Sequence, residues 1–165
     1  MALIKGTQVV SGDSWQSVPD GQPVPETGDV VVGLARFAND AAALAAHKGK
    51  LGVRVDPEDD LAALVAVLPK VALVAINFPK FGDGRGYSKA RLLRERHAYK
   101  GELRAVGEVL GDQLFYMHRC GFDAYELVEG KDLDAALRCL ADFSVTYQAA
   151  TDDPRPLYRR VNRGA

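Results

Sequence analysis

Three glycines alternate with other residues directly after an apolar run, in the stretch FPKFGDGRGYS that spans residues 78–88. Gly82, Gly84 and Gly86 would let a ligand approach the backbone closely. The segment that follows is typical of a helix, and a helix N-terminus offers free N–H groups and a positive dipole end to an anion. Arg85 would add a guanidinium group suited to sulfate, phosphate or carboxylate. The stretch therefore predicts an anion-binding loop.

Positive charge is concentrated around this loop. Eight basic and three acidic residues lie between positions 80 and 104, whereas the segments on either side are each net acidic. The whole chain has a net charge of −1, so its overall composition indicates neither a nucleic-acid-binding nor a membrane-binding protein. The local excess of basic residues favours a small anion as the ligand.

Acidic and amide side chains follow the next predicted strand along the chain. Glu108 lies near the end of that strand, and Asp112 and Gln113 come after it. Glu108 and Asp112 could form a carboxylate pair for acid–base chemistry, although Asp112 is also a typical helix N-cap. The complete candidate anion site comprises Lys80, Gly82, Asp83, Gly84, Arg85, Gly86, Tyr87, Ser88, Arg91, Glu108, Asp112 and Gln113.

The same residues also have a purely structural interpretation. The glycines would form a tight turn, Ser88 would cap the helix, and Arg91 would pair with Glu95 on the helix surface. The glycine spacing matches neither the dinucleotide-binding fingerprint nor the phosphate-binding loop of nucleotide hydrolases. The three histidines lack metal-ligand spacing. The sequence therefore predicts no metal site and identifies no cofactor.

Strands and helices alternate along most of the chain. This alternation predicts one α/β domain with a mainly parallel, five-stranded sheet of βαβ units. An open doubly wound sheet is favoured over a partial barrel, and both place ligands at the carboxyl ends of the strands. The predicted strands are 29–34, 51–55, 71–78, 102–110 and 123–129, and the predicted helices are 39–49, 56–70, 87–99, 111–121 and 131–150.

The two ends of the chain differ in composition from its middle. Residues 1–28 are rich in Gly, Pro, Ser and Asp and predict a short arm or hairpin followed by a linker. Residues 29–150 form the predicted α/β domain, and 151–165 form a polar, proline-broken tail. The N-terminal arm and the helix predicted for 131–150 are candidate surfaces for a homo-oligomer.

Cysteine usage bears on the cellular compartment. The two cysteines do not form a CxxC pair, and such sparse usage favours a reducing cytoplasm over a disulfide-stabilised secreted protein. The sequence shows no recognisable signal peptide and no apolar run long enough to span a membrane. We therefore expect a cytoplasmic protein with neither nucleic acid nor membrane as partner.

The segment 78–127 also resembles a bacterial family of uncharacterised function. The similarity is carried by FPKFGDGRGYS with the following ARLLRER, by GELRAVG, and by RCGFDAYEL, and it extends over most of residues 50–150. Members of that family are commonly labelled oxidoreductases involved in sulfite reduction. The family is associated with threonine where this chain has Gly82, so a hydroxyl role at that position has no counterpart here.

The resemblance implies a role in sulfur assimilation. A sulfite reductase needs a haem and an iron–sulfur cluster, and such a cluster is held by four thiolates, whereas this chain has two cysteines. We therefore expect an accessory protein of assimilatory sulfite reduction that binds a small anion or docks on the sulfite reductase. Two alternatives stay open, namely an independent enzyme acting on a small anionic or phosphorylated metabolite, and a non-catalytic interaction domain.

Overall fold

Short runs of valine, isoleucine and leucine form the strands, because branched side chains pack well on a pleated surface. The computed structural model describes residues 2–160, and all its strands belong to one sheet. The strands are β1 Ala2–Lys5, β2 Gln8–Val10, β3 Trp15–Ser17, β4 Asp29–Gly33, β5 Leu51–Val55, β6 Leu73–Phe78, β7 Glu102–Gly107 and β8 Ala124–Leu127.

The order of the strands across the sheet is β2-β1-β8-β7-β6-β5-β4-β3. Strands β3 to β8 are parallel and follow one another in chain order, while β1 and β2 form an antiparallel hairpin beside β8. The mixed α/β domain and the mainly parallel sheet are confirmed. The expected five strands and doubly wound order are corrected, because the sheet has eight strands and its order does not reverse part-way.

The helices pack on one face of this sheet. The main core lies there, for example where Leu64 and Leu93 of two helices are fully buried with Val74 and Leu103 of the strands. None of the helices within residues 2–160 is long and apolar enough to cross a bilayer. The α-helices are α1 Leu34–Asn39, α2 Ala41–Ala45, α3 Leu61–Val67, α4 Arg85–Glu95, α5 Leu114–Arg119, α6 Leu133–Leu140 and α7 Leu157–Arg160, with 3₁₀ turns at Leu68–Lys70 and Gly111–Gln113.

The sheet is curled into a half-barrel, and the chain connectivity shows why. Val10 ends β2 at one edge, and Trp15 begins β3 at the opposite edge. Five Cα–Cα steps separate these residues, so they lie at most about 19 Å apart. A flat sheet of eight strands would separate its edges by about 34 Å. The segment 11–14, which we call the strap, therefore crosses the open, concave side of the sheet.

Several helices begin or end at residues other than those predicted from the sequence. The helix predicted for 56–70 begins only at Leu61, where the Asp60 side chain accepts a hydrogen bond from the backbone N–H of Ala62. The helix predicted for 131–150 ends at Leu140, because Ser, Val, Thr and Tyr at 144–147 are weak helix formers.

The chain ends are also more structured than their composition suggests. The N-terminal segment, predicted as an arm or hairpin, contains the β1–β2 hairpin and in addition β3, and all three strands belong to the sheet. Helix α7 lies within the predicted C-terminal tail. Residues 161–165 of that tail lie outside the described residues.

Candidate functional site

The loop after β6 carries most of the residues that the sequence analysis singled out. It leads into α4, which begins at Arg85 rather than at Tyr87. Ser88 therefore lies inside the first turn of the helix and does not cap it, and Gly84 occupies the N-cap position. Lys80 and Gly82 are exposed at the start of the loop.

Arg85 makes its hydrogen bonds within the chain. Its guanidinium donates to Asp83 at 3.0 and 2.6 Å and to Glu58 at 2.9 Å. The hydrogen bonds and charge of Arg85 lower the pKa of Asp83 to about 2. A carboxylate of the protein therefore already lies where an anion was predicted, and ligand binding at this loop stays a prediction.

Two other members of the predicted site pack against neighbours. Gly86 is buried where α4 crosses β6, and a Cβ atom there would lie 2.7 Å from the ring of Phe78. The ring of Tyr87 lies 5.1 Å from that of Phe78 and 5.1 Å from that of Tyr116. Close helix–strand packing thus accounts for this glycine and this tyrosine.

The remaining members are spread along the rim of the sheet. Glu108 accepts a hydrogen bond from the backbone N–H of Phe81 at 3.1 Å, so the structure brings it to the glycine loop. Gln113 accepts from the backbone N–H of Leu110, and Asp112 is exposed. Arg91 pairs with Glu95 at 2.8 Å on the helix surface.

Lys89 ties the same helix to the loop after β5. Its ammonium group donates to the backbone carbonyls of Asp56 at 2.9 Å, Pro57 at 3.1 Å and Asp59 at 2.6 Å. Burial lowers the pKa of Lys89 from its ordinary value. Its basic charge therefore fixes the backbone beside the strand ends.

The concave face of the half-barrel contains a second site, which the sequence analysis did not predict. A cavity of about 560 Å³ lies there, bounded by the inner faces of the strands and by the strap. Ala75 has a small side chain and packs with Val31 and Leu73 on the floor of the cavity. A larger side chain at position 75 would fill part of this space. Trp15 packs at one side, where Gly52 leaves room for the indole ring, 3.1 Å from an added Cβ.

Arg104 anchors the strap across the cavity. Its side chain is only 5% exposed and makes four hydrogen bonds, which go to Asp13 of the strap and to Glu102. Lys5 completes the cluster, at 3.5 Å from Asp13 and 3.0 Å from Glu102. The hydroxyl group of Ser14 donates a hydrogen bond to the carboxylate of Asp29 at 3.0 Å, which fixes the other end of the strap.

The ion pairs of this cluster set the charge state of Asp13. Burial by itself would raise the pKa of Asp13, but hydrogen bonds and charge from Arg104 and Lys5 hold it below its ordinary value. For Arg104, burial opposes the charged form, and the two carboxylates nevertheless raise its pKa. Asp13 is therefore ionised and Arg104 protonated at neutral pH, and the two side chains pair directly.

Polar groups lie at the end of the cavity that is formed by the carboxyl ends of the parallel strands. Asp56 follows β5 and accepts hydrogen bonds from Asn77 at 2.6 Å and from Arg54 at 3.2 Å. Glu126 of β8 lines the opposite wall. The candidate site of the sequence analysis did not include Arg54, Asn77 or Glu126.

A signal for the missed residues was present in the strands. Arg54, Asn77, Arg104 and Glu126 each interrupt an apolar strand, and all lie on the sheet face opposite the helices. A polar residue among apolar ones on the same face of a strand indicates that no helix covers that face of the sheet. The assumption that helices cover both faces hid this signal.

A comparison with protein families places the chain among known sequences. The model of a family described as bacterial protein of unknown function (DUF934) matches residues 52–158, which is more than half of the chain. This chain belongs to that family. The match covers β6, β7 and β8, most of β5 and all of α3 to α6, so the DUF934 region contains Arg54, Asp56, Asn77, Arg104 and Glu126.

The strap lies N-terminal to the matched region. The resemblance to an uncharacterised bacterial family is thus confirmed. No curated protein matches the chain.

Proposed function

We propose that this protein is an accessory protein of assimilatory sulfite reduction that binds a small molecule on the concave face of its half-barrel. The observation that carries the proposal is the cavity of about 560 Å³ under the strap, a size typical of small-ligand sites. The cavity opens at the carboxyl ends of parallel strands, where barrel proteins bind their ligands.

The link to sulfite reduction is supported by the sequence resemblance of residues 78–127. A role beside the reductase, rather than as the reductase, is supported by the cysteine content. An iron–sulfur cluster of the type such an enzyme carries needs four thiolates, and the chain supplies Cys120 and Cys139. A ligand-binding accessory protein would instead sense or deliver a small molecule of the pathway.

A second candidate function is favoured by one observation at the rim. The carboxylate of Asp56 is held by two donors, Asn77 and Arg54, at the end of a parallel strand. Catalytic groups of barrel enzymes occupy this position. An independent enzyme acting on a small anionic metabolite would use the same cavity, and mass spectrometry of a bound ligand before and after incubation distinguishes conversion from binding.

Growth of a deletion strain tests the accessory role and the cavity together. We expect the strain to grow normally on cysteine but poorly on sulfate as its sulfur source, and the wild-type gene to restore growth. The variant Val106→Phe places an aromatic ring in the wall of the cavity, so we expect it to fail to restore growth.

The matched control is Val9→Phe, which adds the same ring at an exposed position of β2 outside the cavity. This variant should restore growth fully, and both variants should unfold cooperatively when purified. Normal growth of the deletion strain on sulfate would contradict a role in sulfite reduction. Full rescue by Val106→Phe would contradict a role for the cavity.

A further inference from the structure

Two charged side chains of opposite sign face the cavity without a full set of partners. Arg54 donates one side-chain hydrogen bond, to Asp56, and about half of the side chain (48%) is exposed. Glu126 is half-buried on β8, and within residues 2–160 its carboxylate has no hydrogen-bond or ion-pair partner. Arg104 differs from both, because Asp13 and Glu102 already balance its charge.

Apolar and polar groups both lie between these two charges, because Asn77 and Arg104 line the cavity beside Ala75 and Val106. Arg54 and Glu126 lie on strands separated by three inter-strand spacings, about 14 Å along the sheet. Ala75 and Val106 line the wall between them, and the indole ring of Trp15 lies toward the Arg54 side.

We propose that this cavity binds an amphoteric small molecule, with its acidic group on Arg54, its amine on Glu126 and its apolar body over Ala75 and Val106. This inference rests on the proposed function in one respect, since both require that the cavity binds a ligand. A purely anionic ligand would leave the Glu126 carboxylate partly desolvated and unpaired, and burial of an unpaired charge is costly. A ligand with both groups pairs both side chains.

Fluorescence provides a direct assay, because Trp15 is the one tryptophan of the chain and lines the cavity. The probes are para-aminomethylbenzoic acid and a series of straight-chain ω-amino acids of increasing length. Para-methylbenzoic acid and para-methylbenzylamine are matched controls that each keep one charge. We expect the best amphoteric probe to bind at least about tenfold more tightly than either control, since each charge-assisted hydrogen bond contributes a factor of that order.

Two variants assign the charges to the two ends of the ligand. Glu126→Gln should reduce affinity for the amphoteric probe about tenfold or more and leave affinity for para-methylbenzoic acid unchanged. Arg54→Gln should likewise reduce affinity for the amphoteric probe about tenfold or more, and it should leave affinity for para-methylbenzylamine unchanged. Glu129→Gln is the matched control, because Glu129 is exposed beyond the end of β8 and outside the cavity, and it should bind like the wild type.

The outcomes separate this inference from the proposed function. Equal affinity for the amphoteric and the mono-charged probes would overturn the inference, as would an unchanged affinity in Glu126→Gln. Absence of any fluorescence response to every probe would also overturn it. If sulfite, sulfate or adenosine phosphosulfate bind instead, independently of Glu126, the ligand class is wrong while the growth assay still judges the accessory role.

Discussion

Asp13 and Arg104 form a buried ion pair on the concave face, and a single substitution tests how much this pair stabilises the fold. Asp13→Asn removes the negative charge beside a buried guanidinium group and replaces one of the two oxygens that accept its hydrogen bonds with an NH₂ donor. We expect the free energy of unfolding to fall by about 1–3 kcal/mol at neutral pH, because Arg104 then lacks part of its charge balance. Urea unfolding measures this loss.

The pH dependence of this loss has a definite sign. The pKa of Asp13 in the folded protein lies below its ordinary value of 3.8, so ionised Asp13 stabilises the fold above that value. The contribution is lost as the pH falls through the lowered pKa. The difference between wild type and Asp13→Asn should therefore be full at neutral pH and shrink in strong acid.

The control for this titration is Asp112→Asn, because Asp112 is an exposed carboxylate on the rim. Its unfolding free energy at neutral pH should lie within about 0.5 kcal/mol of that of the wild type, as for most surface substitutions. A loss in Asp13→Asn that is equal at neutral and strongly acidic pH would show that the effect is steric and does not depend on the charge.

At the scale of elements, the contact between α4 and β6 explains one of the three loop glycines. A Cβ atom at Gly86 would lie 2.7 and 2.9 Å from two ring atoms of Phe78, and 3.0 Å from Ile76. Both neighbours are fully buried and cannot move away. Gly86→Ala should therefore lower the free energy of unfolding by about 1–2 kcal/mol, because overpacking outweighs the gain in helix propensity.

Gly82→Ala is the matched control in the same loop. No atom lies within 4 Å of the position that its Cβ would take, and its φ angle is not positive. We expect a change within about 0.5 kcal/mol by urea unfolding. Similar losses in both variants would show that the loop itself, and not the contact with Phe78, requires glycine.

At the scale of the whole molecule, the N-terminal segment is part of the core. Ile4 of β1 is fully buried in the main core, although composition assigned residues 1–28 to an arm or hairpin followed by a linker. Ile4→Ala should lower the free energy of unfolding by about 2–5 kcal/mol. Val9→Ala, at an exposed position of the adjacent strand, should change it by less than about 0.5 kcal/mol.

Thermal unfolding followed by two spectroscopic signals checks this expectation. A single cooperative transition in the wild type, with a lower midpoint in Ile4→Ala, would show that the hairpin and the parallel sheet unfold together. A separate early transition confined to the N-terminal residues would contradict the assignment.

The sequence by itself determined the α/β class and the positions of five of the eight strands described for residues 2–160. Strand β5 coincides with its prediction, and β4, β6, β7 and β8 lie inside theirs, because hydrophobic runs and turn residues are local features of the chain. The glycine loop was also located correctly at the carboxyl end of β6. Its anion-binding role was argued from the same local features, which do not show that Asp83 and Glu58 pair with Arg85.

The tertiary structure alone decided which faces of the sheet are covered. The strap must connect opposite edges with four residues, and this long-range constraint curls the sheet and opens a cavity on the side away from the helices. Asp13 and Arg104 meet although 91 positions separate them in the chain. Such a contact depends on strand order and curvature, which hydrophobic periodicity does not encode, so the cavity and its charges appear only once the sheet is assembled.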